Sequence, residues 1–179
     1  MSEWIPTYTG RKFYPLDPRI EDIYIDDIAQ ALSLKCRFGG HCRTFYSVAQ
    51  HSDLVSRKCR KEYALRGLMH DTAEAYLPDI SAPLKRDRII RPLLEIEESL
   101  IRLIFKKFHL KYPLPKNIDE ADKRLCMSEG RDLMYDISEW KLGKIYKPYQ
   151  MKIKPVGPEL AKKMFMARFR ELTKNSWSK

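Results

Sequence analysis

His70 and Asp71 stand side by side in the stretch Gly67-Leu-Met-His-Asp-Thr-Ala73, with Glu74 directly after it. Leu65, Leu68 and Met69 make the turn before them apolar. No turn residue follows until Pro78, so the pattern predicts one helix over 62–77. At about 100° per residue, His70, Asp71 and Glu74 then fall within roughly a quarter of the helix circumference. A buried charge needs a partner or a metal, and an imidazole beside carboxylates suits a hard or transition-metal cation. A His-Asp pair alone is more often a surface pair or a satisfied core pair than a site.

Two other stretches offer similar groups. Ser47 can cap a helix over 47–59, in which Val48, His51, Ser52 and Val55 recur at i, i+3, i+4, i+7. His51 therefore sits on a buried stripe, either as a core histidine bonded to a carbonyl or as a ligand. In a helix over 117–135, Ile118, Ala121, Leu125 and Cys126 define the apolar face, and Asp122 and Glu129 lie inside it. A carboxylate there needs a cation beside it. A salt bridge to arginine is the preferred reading for Glu129, and Asp122 is the better ligand candidate. Three helices thus turn ionisable groups inward, as metal ligands do in helical cores. Two imidazoles and two carboxylates suit a divalent ion such as Mn, Co, Ni, Fe or Zn, with positions left for water and substrate.

The elements that position these groups make an all-α fold, a compact helical bundle with a short extended N-terminal arm. One domain is expected over 1–179, with the arm over about 1–24 and the helical body over about 25–174. In the arm, Trp4, Tyr8, Phe13 and Tyr14 among Pro, Gly and Thr predict short extended pieces or a hairpin around Thr9-Gly10, packed on the body. Asp26 and Asp27 suit the N-terminal end of a first helix over 25–34. The run Cys36-Arg37-Phe38-Gly39-Gly40-His41-Cys42-Arg43 is a loop whose glycines let backbone approach a ligand. Pro78 and Pro83 end the helix that carries His70. A further amphipathic helix over 91–109 has Pro92 in its first turn and a core stripe of Leu93, Ile96, Leu100, Ile104 and Phe108. A loop over 136–158 and a last helix over 158–174, burying Leu160, Met164, Phe165, Phe169 and Leu172, complete the bundle; 175–179 reads as a frayed tail.

With 44% hydrophobic and 32% charged residues among 179, the composition is that of a globular domain. No apolar run reaches the length of a membrane span and the first residues are not a signal peptide, so a cytoplasmic protein with no membrane partner is expected. The four cysteines, at 36, 42, 59 and 126, make no Cys-x-x-Cys pair and read as reduced thiols. The net charge of +10, from 34 basic and 24 acidic residues, fits an anionic small molecule or nucleic acid. The basic residues are scattered without an aromatic ladder, which makes nucleic acid the less favoured partner.

The order His51, His70-Asp71, Asp122 resembles the H…HD…D signature of the HD-domain metal-dependent phosphohydrolases. Arg37-Phe-Gly-Gly-His41, Phe45-Tyr-Ser-Val-Ala-Gln-His51-Ser, His70-Asp-x-x-Glu74-Ala-Tyr, Asp79-Ile-x-Ala-Pro-Leu-Lys85-Arg and Ala121-Asp-x-x-Leu are similar to the small-nucleotide branch of that superfamily. That branch includes bacterial 5′-deoxynucleotidases, prophage-encoded hydrolases and phage dATP triphosphohydrolases, and the likeness covers most of residues 5–173.

The resemblance implies an HD-domain bundle in which His51, His70, Asp71 and Asp122 hold a divalent cation, with Co, Mn, Ni, Fe, Zn and Mg all open. It implies that Glu74 positions or deprotonates the attacking water and that Asp79 assists at the leaving group. Arg37 and Lys85, with Arg86 as a weaker candidate, would hold phosphate oxygens. The family often has tryptophan after the residue matching Arg37; here Phe38 keeps a stacking face for a base and lacks the indole donor. The expected reaction is removal of phosphate or triphosphate from a deoxynucleoside triphosphate, with dATP favoured, and the resemblance implies a homo-oligomer. The alternatives are 5′-nucleotidase action on deoxynucleoside monophosphates and, outside enzymes, a basic nucleic-acid-binding module with a vestigial metal site. Hydrolysis of signalling nucleotides ranks below these.

Overall fold

A helix buried over most of its length yet rich in polar residues runs through the middle of the molecule. This is α2, Val48–Lys58, where Gln50, His51, Ser52, Asp53 and Ser56 are buried together with Val48, Ala49 and Val55. A helix in that position is ordinarily apolar all round, so each polar group must find a partner. Ser47 caps it, accepting from the backbone N–H of Gln50 at 3.2 Å. The Gln50 amide donates to the Lys154 carbonyl and accepts from the Val156 N–H, Asp53 takes a two-pronged bond from Arg57, and Ser56 joins the Ala64 carbonyl to Arg168. The buried Ser52 hydroxyl has no hydrogen-bond partner among the described residues, and His51 is left to the site.

The computed structural model describes residues 3–174. Around α2 pack α1 (Ile25–Leu34), α3 (Ala64–Leu68), α5 (Lys116–Leu133) and α6 (Pro158–Thr173), with α4 (Arg91–Lys107) lying on the far side of the turn after α3. One core forms where α1, α2, α3, α4 and α6 meet, around Ile28, Leu32, Leu68, Leu100, Ile104, Phe105 and Phe165. A second, smaller one forms between α2 and α5, around Tyr46, Val55, Ile118, Ala121 and Leu125. The helical expectation holds, and the only sheet among the described residues is the small hairpin of the arm. The expected tail over 175–179 lies outside the described residues.

In the arm, β1 (Ile5–Pro6) pairs antiparallel with β2 (Lys12–Phe13), with Ile5 opposite Phe13. Gly10 takes a left-handed φ of 78° in the turn, which only glycine adopts at no cost. Asp27 at the start of α1 accepts from Thr9 through both backbone N–H and hydroxyl, at 2.7 and 3.0 Å. Phe13 stacks on Tyr76 with centroids 3.8 Å apart. The arm is thereby fastened to α1 and to the segment carrying the central motif.

Three expectations need correction. The helix predicted over 62–77 is not continuous. A tight turn at Lys61–Tyr63 leads into the short α3, the chain leaves helical geometry at Met69–Asp71, and another tight turn follows over Thr72–Ala75. The reason is local. The Met69 carbonyl, free to accept four residues on in a continuing helix, is taken by the Thr72 hydroxyl at 2.7 Å and backbone N–H at 3.2 Å, and Nδ1 of His70 lies 2.8 Å from the Gly67 carbonyl. Leu160, expected in the core, is 50% exposed, because α6 buries the stripe Ala161, Phe165, Phe169 one position further round. In α4, Ile101 and Phe105 are buried beside Leu100 and Ile104, while Leu93, Ile96 and Phe108 are half-buried. No helix among the described residues is long and apolar enough to cross a membrane, and the four cysteines are free thiols.

Candidate metal centre

The break after α3 decides how the central motif is displayed. In a helix, neighbours diverge by about 100°; here the turn lets His70 and Asp71 face the same point. Nε2 of His70 lies 3.2 Å from Oδ2 of Asp71. From α2, Nε2 of His51 lies 3.6 Å from the same oxygen, and from α5, Oδ1 of Asp122 lies 3.1 Å from Nε2 of His51. The two imidazole rings have centroids 5.3 Å apart. One donor atom each from His51, His70 and Asp71 lie within 4.8 Å of one another, a grouping that could hold a metal ion. Asp122 joins through His51.

The donor set also passes a chemical test. Nε2 of His51 and Nε2 of His70 are both buried, and neither has a hydrogen bond of good direction although carboxylates stand close by. Orphaned buried nitrogens are costly, and two of them aimed at two carboxylates form the environment a divalent cation satisfies. The site has a closed end and an open one: the side chains of His51 and His70 are 0% and 6% exposed, those of Asp71 and Asp122 21% and 34%. Solvent can approach from the carboxylate side.

Behind His51 lies Glu129, fully buried on α5. Its Oε1 is 2.6 Å from Nδ1 of His51 and accepts from the Tyr46 hydroxyl at 2.7 Å, while Oε2 accepts from Nε of Arg37 at 3.1 Å. By accepting from Nδ1 the carboxylate fixes the imidazole with Nε2 towards the cluster, the usual function of a carboxylate behind a ligand histidine. The predicted arginine salt bridge of Glu129 is present; its grip on His51 was not legible in the sequence. Nor were the parts played by Tyr46 and Lys35.

No family model matches this chain. Its sequence is 40% identical over 172 residues to uncharacterized protein YfdR of Escherichia coli (strain K12), spanning 95% of this chain and 96% of that one. The chain belongs to the YfdR family. Uncharacterized protein RCAP_rcc00048 of Rhodobacter capsulatus is 33% identical over 129 residues, 67% of this chain and 65% of that protein. Neither name states an activity, so what this YfdR-family site can do rests on its residues.

Charge is distributed unevenly around the cluster. Burial would push the Asp71 carboxyl up, but His70, His51 and Arg37 together hold it below the usual carboxylate range. Burial acts the same way on Glu129 and Asp122, and is likewise outweighed, by Arg37 and His51 for the first and by His51 and His70 for the second. Glu74 goes the other way: burial, then the nearby charges of Asp71 and Asp79, push its carboxyl up to about 8. Its Oε2 is buried and without a hydrogen bond. A carboxyl of raised pKa beside the ligand cluster suits a group that takes a proton near neutrality.

The remaining predicted residues divide. Arg37 is nearly buried and committed to Glu129, with Nη1 3.6 Å from Asp71, so its guanidinium braces two carboxylates of the cluster. Lys85 pairs with Glu97 of α4 at 3.1 Å, and Glu74 and Asp71 also support its charge. Asp79 is exposed, close enough for its charge to act on Glu74 and Lys35. Arg86 is exposed, and no ion pair or hydrogen bond joins it to the cluster among the described residues. Phe38 stands half-buried on the loop, its ring 5.5 Å from the Arg37 guanidinium carbon. Lys35, at the C-terminal end of α1, donates to the Glu74 and Leu77 carbonyls. It thereby secures the turn that carries Glu74, and burial lowers its pKa.

Proposed function

We propose that the protein is a metal-dependent phosphohydrolase of the HD type that cleaves phosphate or triphosphate from deoxynucleotides. The observation that carries this reading is the convergence of two orphaned imidazole nitrogens and two carboxylates, from α2, the turn after α3, and α5, at a point open to solvent on one side. His51, His70, Asp71 and Asp122 would hold the cation. When bound, a divalent ion supplies Lewis acidity, making water a nucleophile at neutral pH and offsetting phosphoryl charge.

The chain's own groups provide the rest. Glu74 accepts the proton of the attacking water, its raised pKa matching that task. Lys85 leaves Glu97 for a phosphate oxygen, and Asp79, at the solvent edge, serves the leaving group. Arg37 keeps Asp71 and Glu129 ionised and so keeps the ligands competent. The surplus of positive charge favours a triphosphate over a monophosphate substrate.

Incubation with Mn²⁺ or Co²⁺ and each deoxynucleoside mono- and triphosphate, followed by chromatography of the products, tests the reading and separates the two substrate classes. Turnover of triphosphates is expected; no cleavage of any nucleotide with any divalent ion would refute the proposal.

A further inference from the structure

We propose that Phe38 and Trp140 together form the wall on which the substrate's base stacks, with Trp140 supplying the wider face and a free N–H donor. This rests on the phosphohydrolase reading of the same cluster and assigns the far end of its substrate. The two rings have centroids 6.0 Å apart and planes inclined by 36°. The Arg37 guanidinium lies 5.5 Å from the Phe38 ring and reaches within 3.6 Å of Asp71. From Asp71 the neighbours run in turn to the Arg37 guanidinium, the Phe38 ring and the Trp140 ring. That is the order in which a 5′-nucleotide presents phosphate, sugar and base.

Two observations mark the wall as built. Phe38 holds φ 54° and ψ 31°, followed by Gly39 and Gly40 at φ 60° and 84°. A phenylalanine in the left-handed region is strained, and such strain persists where surrounding bonds impose it. Those bonds are present: the Arg37 N–H donates to the Tyr46 carbonyl at 2.9 Å, the His41 N–H to the Phe38 carbonyl at 3.1 Å, and the Cys42 thiol to the Arg37 carbonyl. Burial of an apolar ring alone requires no such backbone. Trp140, in turn, lies directly on Gly130 of α5, where a Cβ would come within 3.1 Å of the indole and of Ile137. Since α5 also carries Asp122 and Glu129, one rigid helix fixes the indole relative to the ligand candidates.

Among the described residues the indole N–H donates to no protein group. Nucleobases carry ring-nitrogen and carbonyl acceptors on their edges, and every base has a face to stack. A two-ring wall favours a purine, which covers more of it than a pyrimidine.

The test compares kcat and KM, with Mn²⁺, for a purine deoxynucleotide and for the base-free 2-deoxyribose phosphate carrying the same number of phosphates. For Trp140→Ala, the ratio of kcat/KM for the nucleotide to that for the base-free compound should fall about tenfold or more, through KM. Trp140→Phe should restore most of the stacking part. A ratio unchanged in Trp140→Ala overturns the wall while leaving the hydrolase reading standing, as does a wild type that turns over both compounds equally. Absence of cleavage of every phosphate ester by the wild type removes the hydrolase reading and the wall with it.

Discussion

Nδ1 of His51 and Oε1 of Glu129 lie 2.6 Å apart, both with side chains entirely removed from solvent. The pair links α2 to α5 and, through Arg37, to the loop that precedes α2. It follows that the orientation of His51 is a tertiary property, set by a residue 78 positions away.

Removing Glu129 would strand the buried Arg37 and free His51 to rotate. Glu129→Ala should cost about 3–5 kcal/mol of stability, as when one partner of a buried pair is deleted, and weaken divalent-metal affinity about 10–100-fold. Tyr46→Phe, which deletes one neutral donor to the same charged carboxylate, should cost about 1.5–3 kcal/mol, less than the Glu129 deletion, and leave metal affinity nearly unchanged. Urea unfolding and calorimetric titration with Mn²⁺ measure both. A Glu129→Ala protein that binds Mn²⁺ as tightly as wild type would remove Glu129 from the site.

Gly67 lets α3 approach α2 closely: a Cβ there would meet Cys59 Sγ at 2.8 Å. Its carbonyl also lies against Nδ1 of His70. Gly67→Ala should therefore destabilise by about 1–3 kcal/mol and disturb His70. Adding Cys59→Ala removes the colliding sulfur and should recover most of the loss in thermal denaturation. Equal melting temperatures for wild type and Gly67→Ala would show that the contact is not tight.

Glu74 predicts a pH dependence. Its ordinary pKa is 4.5 and in the folded protein it is pushed up to about 8, so the folded state holds the proton more tightly than the unfolded one. The associated stability is fully present below about pH 4.5 and is lost as pH rises through 8. In metal-free protein, Glu74→Gln should flatten this decline, which runs at about 1.4 kcal/mol for each pH unit between the two values. Parallel stability curves for the two proteins, from denaturant unfolding in EDTA, would contradict this.

Lys85 is held by Glu97 rather than by any ligand residue. Lys85→Ala should raise KM several-fold while leaving metal content and kcat near wild type, the pattern of lost ground-state binding. Loss of bound metal in this variant would place the lysine in the wrong role.

How legible was this in the sequence? Helices with clean periodicity and a cap signal were readable: Ser47 marks the start of α2, and Pro92 sits in the first turn of α4. Charges inside apolar faces identified His51, Asp122 and Glu129 as inward-facing. The break at Met69–Asp71 was hidden, because it arises from side-chain bonds of His70 and Thr72 that no propensity scale weighs. The partners of Glu129 were hidden for another reason: Tyr46 and Arg37 reach it only after the loop over 36–46 folds against α5. Lys35 and Trp140 carried no signal for these roles, because neither belongs to a periodic stripe or motif and packing decides where each side chain goes.

The most direct measurement is divalent-metal binding by the wild type and by Asp71→Ala, by titration with Mn²⁺ and by elemental analysis after gel filtration, with helical content checked by circular dichroism. The account predicts that the wild type retains the ion and that a folded Asp71→Ala loses it. Equal metal content in the two folded proteins would contradict it.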